Sequence, residues 1–199
     1  MIRAVLLLLA LSAPLAAQSL PARYEVINVS SSDALNIRQN PDATSEKIGE
    51  LAHDATGIEI LRLSNDGRWG RIGLPEGNGW VAMRYLEPMG NVPADTVPRP
   101  LSCFGTEPFW SFSLDEEELT FTVLDTLDET IALDREVAAS NNFLLQGTDS
   151  RDARYSMVVT RGLCADGMSD REFGFRASLF IEGGDDAAFQ SGCCTLEGR

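Results

Sequence analysis

Across most of this chain, apolar residues recur at every second position and not at every third or fourth. In Phe109–Leu114 the side chains of Trp110, Phe112 and Leu114 share one face. Leu119, Phe121 and Val123 repeat the pattern, Ile131 and Leu133 hint at another strand, and Tyr155, Met157 and Val159 alternate again. The longest run is Phe173, Phe175, Ala177, Leu179 and Ile181. Period-two alternation bounded by Gly, Asp, Asn and Ser marks half-buried antiparallel strands. No apolar stripe of helical period runs past two turns, and Ile131 to Ala139 is the one stretch with weak helical character. Nearer the start, Leu35-Asn36-Ile37-Arg38, Gly57 to Leu61, Asp66 to Ile72, Gly79-Trp80-Val81 and Tyr85-Leu86 read as shorter strands separated by turn residues. The expected fold class is all-β: a small barrel followed by a second antiparallel β-barrel or sandwich of roughly 100 residues.

Two segments fall outside this pattern. Met1-Ile2-Arg3 gives a positive start, Val5 to Leu11 an unbroken apolar run, and Ala13-Pro14-Leu15-Ala16-Ala17 a small-residue exit. That is the layout of a cleavable secretory signal, with cleavage expected after Ala17. The run is well short of the ~20 residues that span a bilayer, so no membrane span is expected after cleavage. No cysteine stands at its exit to accept a lipid. The protein is therefore expected to be periplasmic or secreted. The second segment, Glu87 to Pro100, holds four prolines and no apolar periodicity. Such density favours an extended spacer. The organisation is thus a signal over 1–17, a small barrel over 24–88, a linker over 89–100 and a stapled, acidic β domain over 101–197.

Charge and cysteine sharpen that division. The chain carries a formal net charge of −14. Nineteen acids against seven bases lie beyond residue 100. Nucleic acid and anionic membrane faces demand positive charge and are poor partners for such a chain. Solubility accounts for the acidity; a basic partner would also be drawn to it. Cys103, Cys164, Cys193 and Cys194 all follow the linker, and an even number in an exported chain reads as disulfides. Neighbours across a trans peptide sit ~3.8 Å apart at Cα, below the usual ~4.4 Å minimum for a bridge. A Cys193–Cys194 bond is therefore disfavoured. Cys103 and Cys164 should each take one of the pair, which one being open, and adjacent strand positions would send the two bridges to opposite faces.

The first-half pattern resembles the bacterial SH3-type (SH3b) domain, whose usual form runs L-N-V-R-x-G-P, an alternating strand, W-x-x-V, then G-W-V-x-x-x-Y-L. The resemblance spans Tyr24 to Pro88 and implies a binding module whose ligands are peptidoglycan or protein peptides. Asn40 stands where that pattern places Gly before Pro41, so the loop there should differ in shape. Candidate ligand-binding residues are Asn36 and Arg38, which flank buried Ile37, and the amphipathic aromatics Trp69, Trp80 and Tyr85. Trp80 is expected to be mostly core and Trp69 to reach the surface. The second half carries Cys103-Phe104-Gly105-Thr106-Glu107-Pro108-Phe109-Trp110, then Cys164-Ala165-Asp166-Gly167-Met168-Ser169-Asp170, then Gly192-Cys193-Cys194. It resembles a family of exported proteobacterial domains with C-x-G-x-E-P-F-W, C-x-D-G-M-S-D and G-C-C motifs, itself distantly similar to barrel domains of heat-shock-type outer-membrane lipoproteins. That implies a fold and a compartment but no reaction.

Catalytic readings find little support. Glu107 beside Pro108 and Trp110 could be a general acid in an apolar setting, but a strand entry explains it more simply. Asp166, Ser169 and Asp170 lack the spacing of a calcium loop, and Asp-Gly makes turns in its own right. Glu116, Glu117 and Glu118 read as a solvated hairpin end. The single histidine, His53, lies in a loop-like stretch, and no G-x-S-x-G nucleophile motif occurs. Neither paired Cys-x-x-Cys nor a His cluster suggests a metal or redox site. The reading is a non-catalytic envelope protein, without cofactor or metal, whose SH3-like module recognises peptidoglycan or a protein partner. The alternative is an acidic secreted inhibitor of a basic enzyme such as lysozyme.

Overall fold

The computed structural model describes residues 19–90, 93, 95–115, 119–123, 129–183 and 188–196. The expected leader (1–17), part of the linker and the Glu116–Glu118 hairpin end lie outside the described residues.

The first part is built from β1 (Ala22–Val26), β2 (Ala34–Arg38), β3 (Lys47–Ala52), β4 (Ile58–Ile60), β5 (Arg62–Leu63), β6 (Trp69–Leu74), β7 (Gly77–Ala82) and β8 (Leu86–Pro88). One 3-10 turn, Met83–Tyr85, connects the last two strands. They form two small sheets, β4-β1-β8 and β3-β2-β7-β6-β5. Because β4 pairs with β1 while β5 pairs with β6, the segment from Ile58 to Leu63 crosses between the sheets. The Leu61 N–H, donating to the Arg71 carbonyl at 2.8 Å, bridges the crossing. Alternate residues of β1 and β2 point inward, so Tyr24, Val26, Leu35 and Ile37 join Ile60, Ile72 and Val81 in one core.

The second part comprises β9 (Leu101–Thr106), β10 (Phe109–Leu114), β11 (Leu119–Val123), β12 (Glu129–Ala139), β13 (Asn142–Thr148), β14 (Arg154–Ala165), β15 (Glu172–Glu182) and β16 (Ala188–Thr195). Each strand pairs antiparallel with its sequence neighbour, and β9 pairs with β16, closing an eight-stranded barrel. The inward set includes Trp110, Phe112, Leu114, Phe121, Phe143, Met157, Phe175 and Leu179, all nearly inaccessible. Trp110 lies against bare backbone: a Cβ on Gly105 would stand 2.1 Å from the Trp110 Nε1. The stretch with weak helical character is strand β12, which pairs with β13 along most of its length and carries a register shift between Leu133 and Arg135. That shift breaks the alternation that would otherwise have marked a strand.

The linker does not stand away from the barrel where it is described. Val97 and Pro98 are buried, and Val97 joins the barrel core. Next to it, the Arg99 guanidinium donates to both carboxylate oxygens of Glu136.

The disulfides are Cys103–Cys194 and Cys164–Cys193, the partition the sequence left open. Cys103 and Cys194 face the core, whereas Cys193 points to the outer surface to meet Cys164. The bridges link residues 91 and 29 apart in sequence. The chain-entropy model assigns them about 4–5 and about 3–4 kcal/mol of stability respectively.

The two parts dock where β15 begins and β16 ends. Glu59 of β4 is 2% exposed. Its carboxylate accepts from the Thr195 hydroxyl at 2.5 Å and from the Leu196 N–H at 3.2 Å. Pro21 packs on Gly174, where any Cβ would come within 2.1 Å of the proline ring. Asn78 accepts from the Glu172 N–H at 2.9 Å and donates to the Asp170 carbonyl at 2.7 Å. Arg71 pairs with Glu172 beside them.

At the β13–β14 turn, Asp149 is buried and accepts N–H bonds from Arg151 at 2.8 Å and Ala153 at 2.9 Å. Burial pushes its carboxyl up, but those two N–H groups and the Arg151 charge more than offset it, holding it below the usual carboxylate range. A carboxyl depressed on folding stabilises above its unfolded pKa, and that contribution fades as pH falls through the folded value. Urea unfolding followed from pH 6 down to pH 2 should therefore show stability falling in acid. Asp149→Asn should cost about 1–3 kcal/mol at neutral pH and flatten part of the acid dependence. An unchanged acid slope in the variant would contradict this role.

Candidate functional site

A surface cleft in the first part grows directly from strand parity. In β2, Leu35 and Ile37 enter the core, which leaves Asn36 and Arg38 half-exposed on the other face. Trp69 opens β6 and pairs with Ala82 at the end of β7, just before the 3-10 turn that presents Arg84 and Tyr85. These groups line a cavity of about 220 Å³ together with Ala43 and Asp33. A second cavity of about 620 Å³, lined by Pro41, Asp42, Arg68 and Met83, shares Ala43, Trp69, Ala82 and Arg84 with the first. Trp69 therefore stands between two hollows of one groove. Such a ring offers apolar area with little conformational entropy to lose.

The groove's charges are mixed and locally fixed. Arg38 donates to the Ser45 carbonyl at 2.7 Å, which holds it along the loop after β2. In that loop the Asn40 N–H donates to the Ser45 hydroxyl at 2.9 Å, and Asn40 keeps an ordinary negative φ. Asp42 accepts from the Thr44 N–H at 2.7 Å and hydroxyl at 2.8 Å, which lowers its carboxyl, with Arg38 and Arg68 adding to the effect. Asp66 takes a hydrogen bond from the Ser64 hydroxyl at 2.6 Å and the Arg68 guanidinium at 2.6 Å, and is held down at about 2. Arg84 lies 4.7 Å over the Tyr85 ring. The guanidiniums of Arg38, Arg68 and Arg84 and the carboxylates of Asp33 and Asp42 thus line the groove with Trp69 and Tyr85, a setting for a peptide-like ligand with both polar and apolar groups.

Residues 33–87 match the bacterial SH3 domain family. The match covers most of the cleft and most of the first part of the chain. No curated protein and no solved structure matches the chain. Of the five candidate residues, the SH3 module brings Asn36, Arg38, Trp69 and Tyr85 to one groove. Trp80 is placed elsewhere: it is buried beneath the guanidiniums of Arg62, at 5.0 Å, and Arg71, at 5.4 Å. Since Arg71 also pairs with Glu172, Trp80 belongs to the junction between the two parts. Asp33, Asp42, Arg68 and Arg84 were not singled out from sequence. They sit on loops and turns, where no alternation reveals which way a side chain faces.

The remaining candidates lie apart from this groove. Glu107 is exposed in the turn between β9 and β10. Asp166 caps a turn, accepting from the Met168 and Ser169 N–H groups at 3.0 Å each. Burial raises its carboxyl, but these hydrogen bonds dominate and leave it lowered. Among the described residues, no group of three or more His, Cys, Asp and Glu side chains could hold a metal ion. His53 sits 3.6 Å from Asp54.

Trp69 is the half-buried member of the three tryptophans, Trp80 and Trp110 being 6% and 3% exposed. Iodide quenching of the native protein should therefore act mainly on Trp69, and Trp69→Phe should reduce the quenchable fraction severalfold. Unchanged quenching in that variant would mean that the groove does not present the ring to solvent.

Proposed function

We propose that the protein is a non-catalytic, exported binding protein of the bacterial envelope whose SH3 module recognises the peptide portion of peptidoglycan. The observation that carries the reading is the groove itself: Asn36, Arg38, Trp69 and Tyr85 converge on it, with hollows on both sides of the Trp69 ring. Bacterial SH3 modules bind peptidoglycan or proteins in general, and short peptides with charged and small apolar side chains suit the mixed charges and aromatic floor. Export is supported by the two disulfides, which persist in oxidising compartments, and by the leader-like first 17 residues. The docking of the second barrel through Glu59, Asn78 and Arg71 leaves the groove open, since none of those three residues lines it. The second barrel then acts as a rigid base that presents the groove in a fixed orientation.

Co-sedimentation of the exported full chain with purified sacculi tests this reading. The chain should be retained, and Trp69→Ala, Arg38→Ala or the pair together should lower retention roughly tenfold without shifting the unfolding midpoint by more than a few degrees. Absence of retention, or retention indifferent to both substitutions, would remove peptidoglycan as the ligand.

A further inference from the structure

The second barrel is closed by pairing of unequal length. Strand β16 pairs with β15 from Ala188 opposite Ile181 through Cys194 opposite Phe175. On its other side it meets β9 only through Cys193, Cys194 and Thr195, opposite Phe104, Cys103 and Ser102. Strand β9 ends at Thr106, and the chain turns at Glu107-Pro108. Among the described residues, Ala188–Ser191 therefore has a strand partner on one side only. Every second residue there aims its main-chain N–H and C=O away from β15, at peptide spacing.

We propose that the Ala188–Ser191 edge of β16 is a strand-addition site for an extended, basic segment of a partner protein. An unpaired strand edge is a ready template for another chain, and natural proteins generally blunt or cover such edges. Here the edge carries no lysine, arginine or proline. It instead presents Phe189, 69% exposed, facing Phe180 across the β15–β16 ladder. At its foot lies a cavity of about 320 Å³ lined by Phe104, Thr106, Arg176, Ser191, Gly192 and the outer disulfide, a volume that would accommodate one side chain of an added strand.

Charge selects the occupant. Glu107 follows β9, Asp166 lines the cavity and Glu182 ends β15 next to the edge. Two bases lie nearby: Arg176, held by the Leu163 carbonyl at 2.9 Å, and Arg154, opposite Glu182 on the far side of β15 from the edge. The whole half carries nineteen acids against seven bases. A segment alternating Lys or Arg with apolar residues would place its main chain on the edge, its apolar groups over Phe180 and Phe189, and its cations among the carboxylates. A second copy of this chain, bearing the same −14 charge, would be repelled. A glycan has no peptide-spaced donors and acceptors to complete the ladder.

The test uses the full-length exported chain, 15N-labelled, titrated with the capped heptapeptide Lys-Val-Lys-Phe-Lys-Val-Lys. Amide shifts should centre on Ala188–Ser191 and leave the Trp69 groove unmoved. N-methylation of alternate peptide bonds should weaken binding at least tenfold, as should replacing each Lys by Glu. Phe189→Ala, at a largely exposed position that leaves the fold intact, should weaken it several-fold. Shifts confined to the SH3 groove, indifference to N-methylation, equal perturbation by chitotetraose, self-association without peptide, or no binding at millimolar peptide would each overturn the proposal. None of these outcomes depends on whether the SH3 groove binds sacculi.

Discussion

Three residue pairs close the second barrel, and most of what is distinctive in the molecule follows from that short seam. Ser102, Cys103 and Phe104 of β9 meet Thr195, Cys194 and Cys193 of β16, with the Cys103–Cys194 bridge buried inside the ladder. A long-range pairing of so few residues sets little main-chain hydrogen bonding against the entropy of closing a loop of about 90 residues. The covalent link removes much of that cost by restricting the unfolded chain. Its neighbour Cys193, pointing outward, ties β16 over β15 to the end of β14 through Cys164. A single Cys-Cys dipeptide thus ties β16 across the seam to β9 and, on the opposite face, to β14, because adjacent strand residues face opposite sides.

The seam also determines where the SH3 module sits. Thr195, the last residue of the seam, and Leu196 just past it both donate to the buried Glu59 carboxylate. A buried carboxylate is tolerated only with such partners, so the docking position is specified as well as stabilised. The β14–β15 turn adds Asp170 and Glu172 as anchors for Asn78 and Arg71. The cysteine-bearing motifs of the second half therefore serve closure and docking together, and the recognition groove lies on SH3-module residues that the junction does not use.

Much of this was legible in the residues, and the exceptions have physical reasons. Trp110, Phe112 and Leu114 alternate because β10 buries one face along its full length, so parity alone identifies the core. In β12 the shift between Leu133 and Arg135 scrambles parity, and a strand reads as a weak helix. Asn36, Arg38, Trp69 and Tyr85 fall together because β7 brings the outward face of β2, the start of β6 and its own following 3-10 turn side by side. Trp80 is buried, as expected from its place in Gly79-Trp80-Val81; its separation from the groove was not readable, because the Arg62 and Arg71 that cover it arrive through pairing across β5, β6 and β7. Glu59 likewise reads as an ordinary surface acid in an alternating strand; only the arrival of residues from 136 positions away makes it interior.

Closure through a three-residue seam is most directly examined by native-state hydrogen exchange resolved at single amides in the oxidised, full-length chain. Main-chain amides shared between Ser102–Phe104 and Cys193–Thr195 should be protected to the level of global unfolding. Alternate amides within Ala188–Ser191, those turned away from β15, should exchange many-fold faster. Uniform protection along β16 would show that the strand is paired on both sides throughout, and would contradict both the short seam and the open edge above it.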